Sequence, residues 1–287
     1  MASHRRSTRR AARVGLAAAT LALLPLVASL QAAETVDAGA PPDLLPDLSM
    51  RMPTELRIET TSNGTRRLRF TGVMVNIGSG PFETRASRRS TSTPTMLVSQ
   101  RIYNTAGGTR VHDTEAIAKY AGDGHDHWHV QEVAAYALYA PTGKGPFLRR
   151  DSKVGFCFFD TNPYRLSLPG APPTRQYEMS GCGKRSSLFV KNGISVGWSD
   201  RYPSTFAWQW IDITNLAAGE YLLKVSVDPN GNFEEEREKN NCNWTRIRIN
   251  ASGPGLTIRE SGWGCALPGS DAPLPIGRVV IPPRDGS

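Results

Sequence analysis

Three of the five histidines in this chain of 287 residues stand at alternate positions within one short stretch, as His125, His127 and His129. Neutral imidazole is the commonest side-chain ligand for zinc, copper and iron, so three imidazoles offered together point first to a metal centre. Their spacing constrains the backbone. On a straight strand these residues would share a face, and at about 3.4 Å per residue His125 and His129 would stand roughly 13 Å apart at Cα. One ion needs all three nitrogens within about 2.0 to 2.1 Å if zinc-like distances hold. The stretch must therefore bend or sit in a loop feeding a strand, and Gly122 and Gly124 just before it permit the bend. Residue types alone admit zinc hydrolysis, non-haem iron oxygenation or copper redox chemistry. They also admit a plainer reading, in which a histidine-rich tract scavenges metal on a non-catalytic secreted protein.

The elements that must position this stretch belong to an exported, β-rich chain. Residues 1–33 carry Arg5, Arg6, Arg9, Arg10 and Arg13 and no acid, followed by the apolar run 14–30 and the small residues Ala32 and Ala33. That is the pattern of a secretory signal peptide cleaved near Ala32 or Ala33, and its apolar run is too short and too early for a permanent membrane span. The whole chain has 34 basic and 26 acidic residues; without the five leader arginines 29 face 26, and the net charge falls from +8 to +3. Most of the basic excess leaves with the leader, so nothing supports a nucleic-acid surface. Four cysteines, Cys157, Cys182, Cys242 and Cys265, remain in the exported part. An even number in such a chain implies two disulfides, and of the three pairings sequence proximity favours Cys157 with Cys182 and Cys242 with Cys265.

No long amphipathic helical pattern occurs, while 21 prolines and 27 glycines punctuate the chain. Short alternating runs recur every ten residues or so. Residues 56–61 and 66–77 flank Asn63-Gly64, a strong hairpin signal. Residues 96–103, 130–140, 153–160, 188–198, 207–213, 221–227 and 244–249 read as further strands, with 85–95, 110–123, 162–173 and 199–204 as connections. The expected architecture is all-β: one antiparallel, sandwich-like domain over 34–265 with long loops and little helix, an extended proline-rich arm at 38–53 and a proline-rich tail at 266–287. Sequons stand at Asn63, Asn243 and Asn250.

Three segments carry a resemblance. His125-Asp126-His127-Trp128-His129 resembles the copper-binding His-x-His-x-His of the lysyl oxidase family. Lys153-Val154-Gly155-Phe156-Cys157-Phe158-Phe159-Asp160-Thr161 resembles that family's segment around its cofactor lysine. Asp200-Arg201-Tyr202, followed by Gln209-Trp210-Ile211-Asp212-Ile213-Thr214, is similar to the segment around its cofactor tyrosine. The order is the same, and the likeness covers roughly residues 110–265.

The resemblance implies a secreted, monomeric copper amine oxidase. Copper would be held by His125, His127 and His129, and a lysine tyrosylquinone would be made from Lys153 and Tyr202. Asp200 and Asp212 are the candidate proton-abstracting bases. The substrates implied are a primary amine, peptidyl lysine or a small diamine, and dioxygen; the products are an aldehyde, hydrogen peroxide and ammonia. The runner-up reading keeps the same histidines in a zinc hydrolase or iron oxygenase, with Lys153 and Tyr202 structural. Two departures stand out. Trp198 and Trp208 occupy places where animal members have cysteines. The calcium stretch of some members, an early Asp-Leu pair with Glu-x-Asp-x-x-Asn-Asn, here reads Glu235-Glu236-Arg237-Glu238-Lys239-Asn240-Asn241, with arginine in a ligand position.

Overall fold

The proline-rich arm contributes two short strands, β1 (Asp43–Leu44) and β2 (Leu48–Met50), each added to the edge of a sheet. Asn63-Gly64 then turns the chain as expected between β3 (Thr54–Thr60) and β4 (Arg66–Asn76), with Gly64 at φ 84°, a conformation that glycine adopts without steric cost. This computed structural model describes residues 39–121, 125–151, 153 and 155–270. The expected leader, the tail from 271 onward, and the bend glycines Gly122 and Gly124 lie outside the described residues. From Pro41 the chain forms a single unit.

The remaining strands in chain order are β5 (Phe82–Ser87), β6 (Thr95–Asn104), β7 (Thr109–Tyr120), β8 (Trp128–Gln131), β9 (Ala134–Tyr139), β10 (Arg149–Arg150), β11 (Gly155–Phe156), β12 (Asn162–Pro163), β13 (Phe189–Ile194), β14 (Trp198–Tyr202), β15 (Trp210–Asp212), β16 (Gly219–Val227), β17 (Cys242–Ile249) and β18 (Leu256–Trp263). They form three antiparallel sheets. The first runs β11-β8-β7-β6-β5-β13, with β1 on β6. The second runs β10-β9-β16-β17-β18. The third runs β12-β14-β4-β15, with β2 and β3 also paired to β4. All three contribute to one hydrophobic cluster that includes Phe70, Phe82, Met96, Trp128, Tyr136, Phe158 and Leu223. Single-turn 3₁₀ geometry at Met179–Cys182 is the only helical element among the described residues. No helix there is long and apolar enough to cross a membrane.

Four local expectations are corrected. The run 130–140 is two strands: Glu132, at φ 59°, breaks it so that β8 stays in the first sheet while β9 crosses to the second. Residues 110–123, which show no period, contain the longest strand, β7; most of its residues are exposed or half-buried, so its ladder to β6 defines it and side-chain alternation does not. Among its described residues, the apolar run 153–160 pairs as a strand at β11 alone, and Asp160 turns inward to accept from the N–H groups of Gln176, Tyr177 and Ser195 and from the Ser195 hydroxyl. Residues 199–202, expected within a connection, form β14 with Trp198 and pair with β4.

Both expected disulfides are present, Cys157–Cys182 with Cα atoms 5.8 Å apart and Cys242–Cys265 at 4.7 Å. The first anchors the chain four residues beyond Lys153. Asn243 is fully buried and donates through Nδ2 to Met50 O, so its sequon is closed to modification in the folded chain.

Candidate active site

The bend required by the histidine spacing is present. Pairing of Lys119 with His129 and of Tyr120 with Trp128 fixes the start of β8, and the Ala121 N–H donates to His127 O, so His127 closes the β7–β8 connection while His129 lies on the strand. The ring centroids of His125 stand 5.9 Å from His127 and 5.7 Å from His129, and those of His127 and His129 are 4.6 Å apart. His127 Nε2 and His129 Nε2 approach to 2.9 Å. Two bonds of about 2.05 Å meeting near a right angle span roughly that separation, so the donor pair suits a first-row transition metal. Burial, then the positive charge of Lys153 and the neighbouring imidazoles, pushes His129 down to about 2, leaving it neutral at ordinary pH, as a metal ligand must be. Trp128 between them faces the other way, buried, with Nε1 donating to Lys184 O.

Gly155 lets β11 lie against this strand. A Cβ there would stand 2.7 Å from His129 Cβ. Gly155→Ala is therefore expected to push His129 off its position, costing about 1–3 kcal/mol by overpacking and weakening any metal held by the three imidazoles; metal analysis after loading, beside urea denaturation, measures both.

Lys153 is the link between the histidines and the aromatic side of the site. It is buried; its Nζ lies 5.0 Å from the ring centroid of Phe156 and 5.4 Å from that of Tyr202, and its charge reaches His129. Tyr202 ends β14 and is also buried, with Phe156 edge-on at 4.9 Å. Its hydroxyl lies 2.5 Å from Asp200 Oδ2 and 2.9 Å from Cys157 O, so one proton is shared between two acceptors. Burial, then the Asp200 charge, holds Tyr202 well above the usual phenol range. Burial likewise pushes Asp200 up to about 8, against the pull of the Tyr202 hydrogen bond. Four residues past Tyr202, Phe206 brings its ring centroid to 6.2 Å from that of His125.

The structure thus brings together His125, His127, His129, Lys153, Tyr202 and Asp200, and leaves Asp212 outside. Asp212 is exposed, and its Oδ1 accepts from the Thr214 N–H and hydroxyl in a local turn. Sequence reasoning missed three polar neighbours. Tyr136 and Gln209 fall within expected strands with no role assigned and Asp151 outside any, yet all three are buried. Asp151, two residues before Lys153 on the edge of an apolar run, and Gln209, inside the segment that resembles the family's, offered a signal; Tyr136 offered none. Gly72, opposite Tyr202 in the β4–β14 register, makes room for Tyr136: a Cβ at 72 would meet its hydroxyl oxygen at 2.2 Å. The two tryptophans in cysteine places behave differently. Trp198 is buried and donates through Nε1 to Pro172 O, whereas Trp208 is 40% exposed at φ 65°, stacked on Trp210.

The calcium stretch also folds together, around an arginine. Asp47, fully buried, accepts from Arg237 Nε at 2.8 Å and from Arg237 Nη2, and from Asn240 Nδ2 at 2.6 Å. The Leu48 N–H and Asn241 Nδ2 donate to Glu235. A guanidinium already neutralises Asp47, so the residues there do not fit a calcium ion. Asp228, Glu235 and Glu238 bring carboxylate oxygens within 4.8 Å of one another, but burial pushes all three upward, toward the neutral acid. Arg237→Ala is expected to destabilise the chain by about 2 kcal/mol, the scale of lost hydrogen bonds to a buried charge. Urea denaturation measures it, and added calcium should leave the wild-type midpoint unmoved.

A family model described as lysyl oxidase matches residues 89–255. Among similar proteins, lysyl oxidase homolog 3 of Homo sapiens is 29% identical over 131 residues, which cover 44% of this chain and 15% of the human protein. Lysyl oxidase homolog 2 of Gallus gallus is 33% identical over 127 residues, covering 44% of this chain and 14% of its own length. Lysyl oxidase homolog 4 of Bos taurus is 31% identical over 118 residues, covering 41% and 14% respectively.

Proposed function

The chain belongs to the lysyl oxidase family, and on that premise we propose that it is an exported, copper-dependent amine oxidase that works as a monomer and converts a primary amine to an aldehyde, hydrogen peroxide and ammonia. The substrate is peptidyl lysine or a small amine, with dioxygen as the oxidant. The observation that carries the reading is the placement of a buried lysine amine 5.4 Å from the ring centroid of a buried tyrosine, beside three converging imidazoles. A structural lysine and tyrosine, as a zinc hydrolase or iron oxygenase would have them, give no reason to bury an ammonium next to a phenol.

Copper on His125, His127 and His129, with a quinone made from Tyr202 and Lys153, would supply the electron transfer to dioxygen and the electrophilic carbonyl that captures the amine. The chain's own residues do the rest. Phe156 and the Cys157 carbonyl hold the Tyr202 ring and hydroxyl, and the Cys157–Cys182 disulfide anchors that carbonyl. Asp200, within hydrogen-bond reach of the Tyr202 oxygen and pushed up to about 8, becomes able to take a proton from substrate carbon as it ionises through that pH. Its burial excludes water from the proton it handles. The leader-like residues 1–33 and the two disulfides support an extracytoplasmic location.

The test is peptide mapping of copper-loaded protein kept in air. A covalent link between the peptides containing Lys153 and Tyr202 is expected, with a positive quinone stain. Copper-replete protein in which the two peptides remain separate overturns the reading, and bound zinc or iron with full activity in Lys153→Ala favours the hydrolase or oxygenase instead.

A further inference from the structure

Glu55, in β3, holds a backbone angle that glutamate rarely adopts, φ 54°. It stands in a β-bulge: Thr54 pairs with Thr71 and Arg57 with Arg69, so Glu55 and Leu56 together face the single residue Phe70. The bulge re-aims the side chain. Glu55 Oε2 accepts from the Thr71 hydroxyl at 2.5 Å and from the Ser204 hydroxyl at 3.2 Å, and Oε1 accepts from Arg201 Nη2 at 2.9 Å. The Thr71 hydrogen bond first, with Ser204, Arg201 and Arg57 behind it, holds the carboxyl below its usual range, so it is ionised at neutral pH.

Arg201 and Ser204 are the residues on either side of Tyr202-Pro203. At Tyr202, opposite Gly72, the ladder to β4 stops, and it resumes at Trp210, opposite Arg69. Residues 203–209 therefore leave the sheet, and they carry Phe206 to His125. Neither disulfide includes a residue of this excursion. Side chains of β3 and β4 hold it instead. The Ser204 N–H donates to Thr71 Oγ1 at 2.9 Å, Arg57 Nη1 donates to the Ser204 hydroxyl, and Arg69 Nη1 donates to Ser204 O and Phe206 O, each at 3.1 Å. Ser204 is buried by these contacts. Of the four side chains, Glu55 bonds on both sides of the tyrosine, and its backbone is the strained one. A bulge can blunt a sheet edge without any carboxylate bonded to a far loop. Strain that persists beside a reactive side chain, held by bonds to both its flanks, points to a task at that side chain.

We propose that Glu55 is a positioning residue: by tying Arg201 to Ser204 across the Tyr202-Pro203 step, it keeps the tyrosine ring within reach of Lys153 while the two side chains are joined. This rests on the amine oxidase reading and adds to it a group that touches neither metal nor substrate. Glu55 makes and breaks no covalent bond itself. Its effect is geometric. The Lys153 amine lies 5.4 Å from the Tyr202 ring centroid and must meet one ring carbon, so a displacement of the tyrosine by about 1 Å is enough to slow the step about 100-fold.

The experiment has two readouts. Hydrogen exchange over residues 201–209 in copper-free protein reports the clamp, and the appearance of the cross-linked Lys153–Tyr202 peptide in copper-loaded protein in air reports its use. Glu55→Gly suits both, because glycine accepts φ 54° without strain and so offsets part of the lost bonding. It should unfold near the wild-type midpoint and bind as much copper. It should nevertheless exchange about tenfold faster over 201–209 and cross-link about 100-fold more slowly per bound copper. Glu55→Gln, which keeps an acceptor oxygen in the same place, should recover part of that rate. A bulge that merely guards the sheet edge predicts cross-linking of Glu55→Gly at the wild-type rate, and that result overturns the proposal whatever the exchange shows. Slower cross-linking with unchanged exchange overturns it as well, since the clamp is then not the cause. Should Glu55→Gly not fold, Arg201→Met, at a half-exposed position, is judged by the same two readouts and the same outcomes. Wild-type protein that binds copper but never cross-links removes the amine oxidase reading and this proposal with it, whereas equal cross-linking by wild type and Glu55→Gly removes the proposal alone.

Discussion

Tyr202→Phe protein is expected to fold, to take up copper and to produce no amine-dependent hydrogen peroxide. The substitution deletes one oxygen from a buried ring whose packing is otherwise set by Phe156 and the strand pair β4–β14. The lost hydrogen bonds to Asp200 and Cys157 O should cost about 1–2 kcal/mol, small beside the stability of a typical domain. The histidines are untouched, so copper should bind. Activity should nevertheless fall to background, since phenylalanine offers no phenol for copper and dioxygen to oxidise. Lys153→Ala should be equally inactive for the complementary reason, an oxidised ring with no amine to capture it. The measurement is a peroxide assay with a primary amine, paired with metal analysis; peroxide production by either variant at a tenth of the wild-type rate or more would sink the assignment of those two residues.

Asp200→Asn should show the second largest effect, a fall in kcat of about 100- to 10,000-fold with copper and the cross-link retained, the range expected for loss of a positioned base. In wild type, turnover should rise with pH through about 8 as Asp200 ionises. Stability should move the other way. A carboxylate whose folded pKa lies above its unfolded value contributes stability that is fully present below the unfolded pKa, near 3.8, and is lost as pH rises through the folded one, near 8. Asp151, raised to about 7, acts in the same direction. Copper-free wild type should therefore weaken progressively between about pH 4 and 8, and Asp200→Asn should lose less over the same window. Urea midpoints at several pH values distinguish this from an ordinary surface carboxylate, whose replacement leaves the pH profile unchanged. A site that buries a carboxylate to raise its basicity does so against the stability of its own fold once that group ionises.

The sequence was informative where chemistry or turn geometry is local. Three imidazoles in five residues required a bend, and the rings do converge. Asn63-Gly64 required a tight hairpin, and cysteine spacing ordered the disulfides correctly. Periodicity failed where the ladder, not burial, defines a strand, as in β7, and where an apolar run is buried without pairing, as around Cys157. It also failed at Tyr202, because a strand covered by sheet and loop alike has no alternation to detect.

What the residues determined by themselves was the inventory: a three-histidine donor set, a lysine and a tyrosine in the right order along a β-rich chain, and an arginine where a calcium ligand would stand. The tertiary structure decided among equals. Asp200 and Asp212 are both acids close to Tyr202 in sequence, but strand geometry turns the first inward to the phenol and leaves the second in solvent. Asp151, Tyr136 and Gln209 acquire their significance only by burial, since desolvation is a property of what surrounds a side chain and no local run of sequence encodes it.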